Sequence, residues 1–276
     1  MSVKNNKTTI EAGKIHSAYF RDLWTYRELF LFLAWRDILV RYKQTIIGIA
    51  WSVVRPLLTM IVFTVIFGKL AKLPSDGAPY AIMVYAAMLP WQFFSNTLNE
   101  GGNSLIQNSS MISKVYFPRI IIPTSSMIVS LIDFLISVVI LIAIMGVYAF
   151  VPNWKIVFIP LFLGLAIITS LGITYLISAL NVKYRDFRYI LPFIIQFGLY
   201  VSPVGFSSSI VPAKWRLLYS LNPMVGVIDG FRWCIIGTEN IIYWPGFILS
   251  ICIALALFFI GFFVFRKIER EFADFI

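Results

Sequence analysis

Residues 101–123 read GGNSLIQNSSMISKVYFPRIIIP, a polar interruption between two long apolar runs. The run before it closes near Leu98, and the run after it opens near Ile120. The interruption is too polar for hydrocarbon, so the chain leaves the apolar phase here. It also carries a helix pattern. Asn108 or Ser109 is a suitable N-cap for a helix running to about Tyr116. Along that helix Met111, Ile112, Val115 and Tyr116 make one apolar stripe, with Ser110, Ser113 and Lys114 on the other side. Two turns of helix are marginal alone in water. The stripe therefore needs a surface, either the lipid interface or a partner protein. Gly101 and Gly102 read as a flexible lead-in.

Working outward, the 276-residue chain is 59% hydrophobic and 13% charged, with a mean hydropathy of +0.85. A soluble domain runs nearer 45–50% apolar and about 25% charged, so the composition predicts an all-α integral membrane protein. Two cysteines, Cys234 and Cys252, and one histidine, His16, leave no parts for a disulfide framework, a zinc site or a Ser/His nucleophile. No metal site or catalytic residue is expected. No G-x-x-x-x-G-K-[ST] loop occurs, so ATP is not expected to bind by that device. The polar start, MSVKNNKTTIEAGK, predicts no cleavable signal peptide. The net charge of +10 is better explained by membrane topology than by nucleic acid.

Residues 1–17 read as a disordered cytosolic tail, and 18–44 as an amphipathic interface region. There Trp35, Ile38, Leu39 and Tyr42 repeat at helical spacing beside Arg36, Asp37, Arg41 and Lys43, with Asp37 and Arg41 as an i,i+4 pair. Residues 45–276 hold six segments long enough, or nearly so, to cross a bilayer: Thr45 to Leu70, Tyr80 to Leu98, Ile120 to Phe150, Lys155 to Leu180, Tyr189 to Phe206 and Ile241 to Phe265. Counted over the alternating connections, sixteen Lys and Arg fall with the two termini and the 101–123 interruption, against six on the other side. The positive-inside rule then puts both termini and the interruption in the cytosol. Residues 212–236, between the fifth and sixth segments, hold two apolar stretches too short to span, separated by Asn222–Pro223, a cap followed by proline at the first helical position. They read as a re-entrant pair or as an interfacial loop.

Two charges sit inside predicted spans. Arg55 lies about 15 Å into the first at 1.5 Å per residue, and Asp133 lies at a similar depth in the third. Charges there pair or face water, so the two are expected to pair with each other or to line an aqueous path. Trp51, Trp91, Phe93, Phe94, Phe197 and Tyr200 stand inside segments as well. Aromatic rings stack on the C–H faces of sugars, and they also pack against lipid; composition does not choose between the two.

Four blocks in order resemble the membrane subunit of polysaccharide ABC exporters, the ABC-2 type permeases: LWTYRELFLFLAWRDILVRYKQTIIGIAW (23–51), PYAIMVYAAMLPWQFFSNTLNEGGNSL (79–105), SKVYFPRIIIPTSSMIVSLIDFL (113–135), and NVKYRDFRYILPFIIQFGLYVSPVGFSS with SLNPMVGVIDGFRW (181–208 and 220–233). The resemblance covers about residues 18 to 276. It implies a homodimer bound to two copies of a separate ATPase subunit that carries ATP and Mg. The interruption becomes a coupling helix, with Asn108, Ser109, Met111, Ile112, Lys114, Val115 and Tyr116 against the ATPase. Arg36, Arg41 and Lys43 become candidates for receiving a lipid pyrophosphate, or remain ordinary positive-inside charge. The 212–236 pair becomes an external gate, with Asn222, Pro223, Asp229 and Arg232. The implied substrate is a glycan on polyprenyl pyrophosphate, O-antigen first, with capsule or teichoic acid as alternatives, exported through the bacterial inner membrane.

A second class of function is a membrane enzyme acting on polyprenyl-linked sugars. It needs clustered carboxylates, whereas Glu100, Asp186 and Asp229 are scattered. A drug or lipid exporter of the same fold is a third reading.

Overall fold

The computed structural model describes residues 19–43, 46–184, 186–237 and 242–272. The tail at 1–17 and the side chain of Trp51 lie outside the described residues. Eleven α-helices and no strand occur among the described residues. Two of them, α1 (Tyr19–Thr25) and α2 (Arg27–Tyr42), form the amphipathic region. The third, α3 (Ile46–Phe63), continues as a π-helix through Thr64–Leu70. Next come α4 (Tyr80–Gln107), α5 (Ser109–Ile112) and α6 (Ile121–Val147). A 3-10 turn at Trp154–Phe158 leads into α7 (Ile159–Lys183). They are followed by α8 (Phe187–Val201), α9 (Ala213–Tyr219), α10 (Pro223–Ile236) and α11 (Trp244–Ile268). Among the described residues, four helical stretches are long and apolar enough to cross a membrane: Val53–Leu70, Ile121–Val147, Trp154–Lys183 and Trp244–Glu271, with α8 a shorter apolar helix.

The core is built around α4, which packs against α6, α7 and α10 and also touches α3 and α8. Every residue from Ala81 to Trp91 is buried, so its first half is apolar all round and enclosed. Its second half corrects the expectation of a helix ending near Leu98. The helix runs on to Gln107 and is about 42 Å long, with Gly101 and Gly102 inside it. Polar composition did not end the helix because its polar groups find partners on α7 and within α4 itself. Asn181 of α7 donates to the Gly102 carbonyl at 2.7 Å, and Ser104 Oγ donates to the Gly101 carbonyl at 2.7 Å. Nor are the two glycines a flexible lead-in. A Cβ on Gly101 would collide with Thr174 Cγ2, and one on Gly102 would stand 3.0 Å from both Ile177 Cγ2 and Leu191 Cδ2. They are contact points that let α7 and α8 approach closely.

The same device joins α7 to α11. A Cβ on Gly172 would meet the Phe258 backbone at 2.6 Å, and one on Gly261 would collide with the Gly172 carbonyl. Because the obstacle is backbone, no rotamer change relieves it. Gly261→Val is therefore expected to separate the two helices at a cost of at least about 1–3 kcal/mol. It should lower both the membrane-embedded yield and the thermal midpoint followed by fluorescence-detected gel filtration, whereas Gly164→Ala, which meets no atom within 4 Å, should leave both near the parent values.

The amphipathic region also departs from expectation. The face of α2 turned to the protein carries Leu33 and Ala34, while Trp35 is exposed together with Leu31, Phe32 and Val40. None of the described residues covers these large outward side chains, which suit an apolar solvent. The α2 helix packs along α6.

Candidate coupling loop and charge cluster

The loop from α4 to α6 is anchored at both ends. At its start, Arg36 of α2 donates from Nη2 to Asn108 Oδ1 at 2.9 Å while also pairing with Asp37 at 2.7 Å. Asn108 Nδ2 turns back to the Ser104 carbonyl at 2.8 Å. Thus the Asn108 side chain links α2 to α4 and makes no side-chain cap, contrary to the sequence expectation. At the far end, the Arg119 backbone N–H donates to Glu269 Oε1 at 2.7 Å, and Arg119 Nη1 donates to the Glu269 carbonyl at 2.6 Å. Arg266 of α11 pairs with Glu269 at 3.1 Å and lies over the Tyr19 ring at 3.4 Å. Burial, with the Glu269 carboxylate adding to it, pushes the Tyr19 hydroxyl well above its ordinary value. The loop thereby joins α2 on one side and α1 and α11 on the other.

Between these anchors the helix is shorter than the stripe suggested. A single turn, Ser109–Ile112, replaces the expected run to Tyr116. The stripe divides: Ile112 is buried and Met111 packs against the core, while Val115 and Tyr116 are each 56% exposed. Ser113 and Lys114 beside them are exposed, and Ser109 is half-buried. A four-residue helix lets side chains one turn apart face different ways once the chain bends after Ser113. The outward surface of the loop is thus Ser110 with residues 113–116.

The paired charges are not the expected ones. Asp133 of α6, buried, pairs with Arg41 Nη2 at 2.7 Å. It accepts a hydrogen bond from the Tyr42 hydroxyl and one from Asn96 Nδ2 at 3.3 Å. Arg41 reaches Glu100 Oε1 at 3.3 Å as well. Burial, and then the bond to Asp133, push the Tyr42 hydroxyl far up, so it keeps its proton and donates. Arg55 is exposed and makes no ion pair or side-chain hydrogen bond among the described residues. Asp133 sits level with the polar half of α4, and the partner that reaches it there is the end of α2. Asp37, for its part, is held by its neighbour Arg36. Of the three cations near the expected entrance, Arg36 and Arg41 are thus engaged internally and Lys43 is exposed.

The aromatic candidates divide too. Trp91, Phe93 and Phe94 are core residues of α4. Phe93 packs edge-on against Phe134, which packs edge-on against Phe231. The Trp91 ring fills the space beside Gly198 of α8. They face no open surface because α4 is the enclosed helix. Phe197 and Tyr200 are exposed, and with Tyr189 and Phe193 they form one outward stripe on α8, Phe193 and Phe197 stacking at 6.1 Å. Spacing of four and three residues was the sequence signal for Tyr189 and Phe193.

In the 212–236 region, Asn222 Oδ1 accepts from the Met224 N–H at 3.0 Å, with Pro223 at the first helical position of α10. Arg232 is fully buried and gathers three carbonyls, those of Phe206 at 2.7 Å, Val204 at 3.0 Å and Met83 at 3.4 Å. Asp229 lies one turn earlier, its Oδ1 buried with no hydrogen-bond partner among the described residues. Arg232 therefore ties the 202–207 bend to α10 and α4. Arg232→Leu is expected to strand these carbonyls at a cost of about 3 kcal/mol or more. The folded fraction in membranes should fall several-fold, and Arg232→Lys, with three donors on a point charge instead of a planar fork, should recover it in part.

Long apolar helices packed around an enclosed central helix describe an integral membrane protein. Residues 28–236 match the model of the ABC-2 type transporter family, and the chain belongs to that family. It is a multi-pass membrane protein. Among curated proteins it is 28% identical over 254 residues to an O-antigen export system permease protein RfbA from Klebsiella pneumoniae, covering 90% of this chain and 94% of that one. It is 26% identical over 214 residues to a protein of the same description from Myxococcus xanthus, covering 77% and 82%.

Proposed function

We propose that this chain is the channel-forming subunit of an ATP-driven exporter that moves an O-antigen polysaccharide on a polyprenyl pyrophosphate carrier across the bacterial inner membrane. The observation that carries this is the extent of the likeness: nine-tenths of the chain aligns with nearly the whole of O-antigen export permeases. In this reading α3, α4, α6, α7, α8 and α11 make six crossings. Both termini and the 108–119 loop are cytosolic, as the distribution of basic residues favours. Two copies pair and bind two ATPase subunits that supply ATP and Mg. Val115, Tyr116 and Lys114 meet the ATPase, and the anchors at Arg36 and Arg119 pass its movement to α2 and α11. The α9–α10 pair closes the external side.

The stripe Tyr189, Phe193, Phe197 and Tyr200 supplies flat apolar faces for sugar rings between the copies. Arg55, exposed within a span, faces water or the second copy there, since a charge toward lipid is costly. Lys43 is the one entrance cation of the three that offers its charge to an incoming pyrophosphate without first breaking a contact. ATP binding shifts a two-state channel by favouring one state of the pair over the other.

Deleting the gene is the test. Lipid-linked glycan should build up on the cytosolic face and vanish from the cell surface, and both should revert on complementation. Normal surface glycan in the deletion strain would overturn the assignment.

A further inference from the structure

We propose that the cleft between α1–α2 and helices α6, α7 and α11 binds an anionic phospholipid of the cytosolic leaflet, one acyl chain in the cleft and the phosphate at Arg27. This rests on the cytosolic placement of α1 and α2 given above. The cleft holds about 320 Å³ and is lined by Leu23, Phe30, Ile121, Tyr175, Phe258 and Phe262, with Arg27 at its edge. That volume falls in the range of small-molecule sites. Its polar floor is already satisfied: Thr124 Oγ1 donates to the Ile120 carbonyl at 2.6 Å and bonds the Tyr175 hydroxyl at 2.9 Å. A buried water needs two to four polar partners, and with both hydroxyl hydrogens committed this floor offers it no donor. Hydrocarbon has no such requirement.

The occupant is identified by what borders the cleft. Its wall on α11 is continuous with the outward side chains Phe259, Ile260 and Phe263, the surface that faces acyl chains in a multi-pass protein. A chain entering along that wall comes from the bilayer. At the mouth Arg27 is exposed, spends one N–H on the Trp24 carbonyl at 3.1 Å, and lies over the Trp24 ring at 5.4 Å. Among the described residues no carboxylate pairs with it, and a guanidinium has five N–H donors in all. Trp24, 72% exposed, is an interfacial anchor at the same level. One cation at headgroup depth above an apolar slot is complementary to one phosphate above one tail. The bound lipid fills the cleft beside the direct contact of Tyr19 with Arg266 and Phe262, and adds to the hold of the interface helices on the span.

The test uses the full permease with its ATPase partner in phosphatidylcholine nanodiscs containing phosphatidylglycerol with a photoreactive acyl chain. Labelling should map to residues 258–262 and to the neighbourhood of Leu23. Arg27→Gln, a surface change that leaves the fold intact, and Leu23→Trp, which fills the slot from its rim, should each reduce labelling there about tenfold, equivalent to about 1.4 kcal/mol. Unchanged labelling in Arg27→Gln overturns the proposal, as does equal labelling by a phosphatidylcholine analogue. Displacement by an equal amount of polyprenyl phosphate also overturns it, because the slot then takes the carrier. So does a cross-link between two permease copies through Leu23. None of these readouts depends on glycan export, so a failed export assignment and a failed lipid site are told apart.

Discussion

Replacing Val115 and Tyr116 together by Asp is expected to abolish both ATPase association and glycan export while leaving the permease in the membrane at its normal level. Each residue is 56% exposed, so neither substitution buries a charge in the chain itself, and exposed changes of this kind move stability by only about 0.5 kcal/mol. The loop is held from both ends by Arg36–Asn108 and Arg119–Glu269, so its shape survives the change. At a protein interface the balance is reversed. A tyrosine at the centre of a docked patch is worth about 2 kcal/mol, and a carboxylate buried unpaired in place of the valine costs about as much again. About 4 kcal/mol is on the order of 1000-fold in affinity. The contrast is Ile112→Asp. That residue is buried, and an unpaired charge there lowers the amount of folded permease before any association is measured. Copurification of tagged ATPase, with membrane yield as the control, separates the two. Full ATPase retention and normal export by the Val115/Tyr116 variant would mean that the ATPase docks elsewhere.

The division within this loop explains what the sequence displays and what it withholds. Asn222–Pro223 was legible because cap and proline act within one turn, and the bond from Met224 N–H to Asn222 is local. Membrane class was legible because hydropathy sums over many residues. The loop boundaries were not. Gly101, Gly102 and Ser104 look like the end of a helix until Asn181, some eighty residues later, supplies a donor to the Gly102 carbonyl. Polar composition records a need for hydrogen bonds, and only packing records whether a neighbour meets it. The same limit divided the apolar stripe: spacing put Met111, Ile112, Val115 and Tyr116 on one face of a helix that the chain ends after one turn. It also divided the aromatics, since which of Trp91, Phe93, Phe197 and Tyr200 face outward depends on α4 being enclosed and α8 peripheral. Spacing of four and three residues puts Tyr189, Phe193, Phe197 and Tyr200 on one face of α8, and packing alone decides that this face points outward. Charge pairing was the least legible of all, because Arg55 and Arg41 are equally good partners for Asp133 by charge, and they differ only in where α2 and α3 lie.

Asp133→Ala is expected to cost about 3 kcal/mol, the lower end of the range for breaking a buried ion pair from one side. The lower end applies because Arg41 keeps Glu100 at 3.3 Å and is 31% exposed at its side chain. The loss should be seen as a lower thermal midpoint and as weaker export, since the same change releases the Tyr42 hydroxyl and Asn96 from α6. Asp133→Asn separates these effects in part: its amide oxygen still accepts from Tyr42, while the NH2 that replaces Oδ2 can accept from neither Arg41 nor Asn96. A double-mutant cycle then assigns the partner. Arg41→Gln and Asp133→Asn should be non-additive by at least about 1 kcal/mol, as residues within one buried network are. Arg55→Gln with Asp133→Asn should be additive within about 0.5 kcal/mol, because the two groups share no contact. Additivity in the Arg41 cycle would detach α2 from α6 energetically, and with it the path proposed above for movement at Asn108, held by Arg36 two helical turns or fewer from Arg41, to reach the spanning helices.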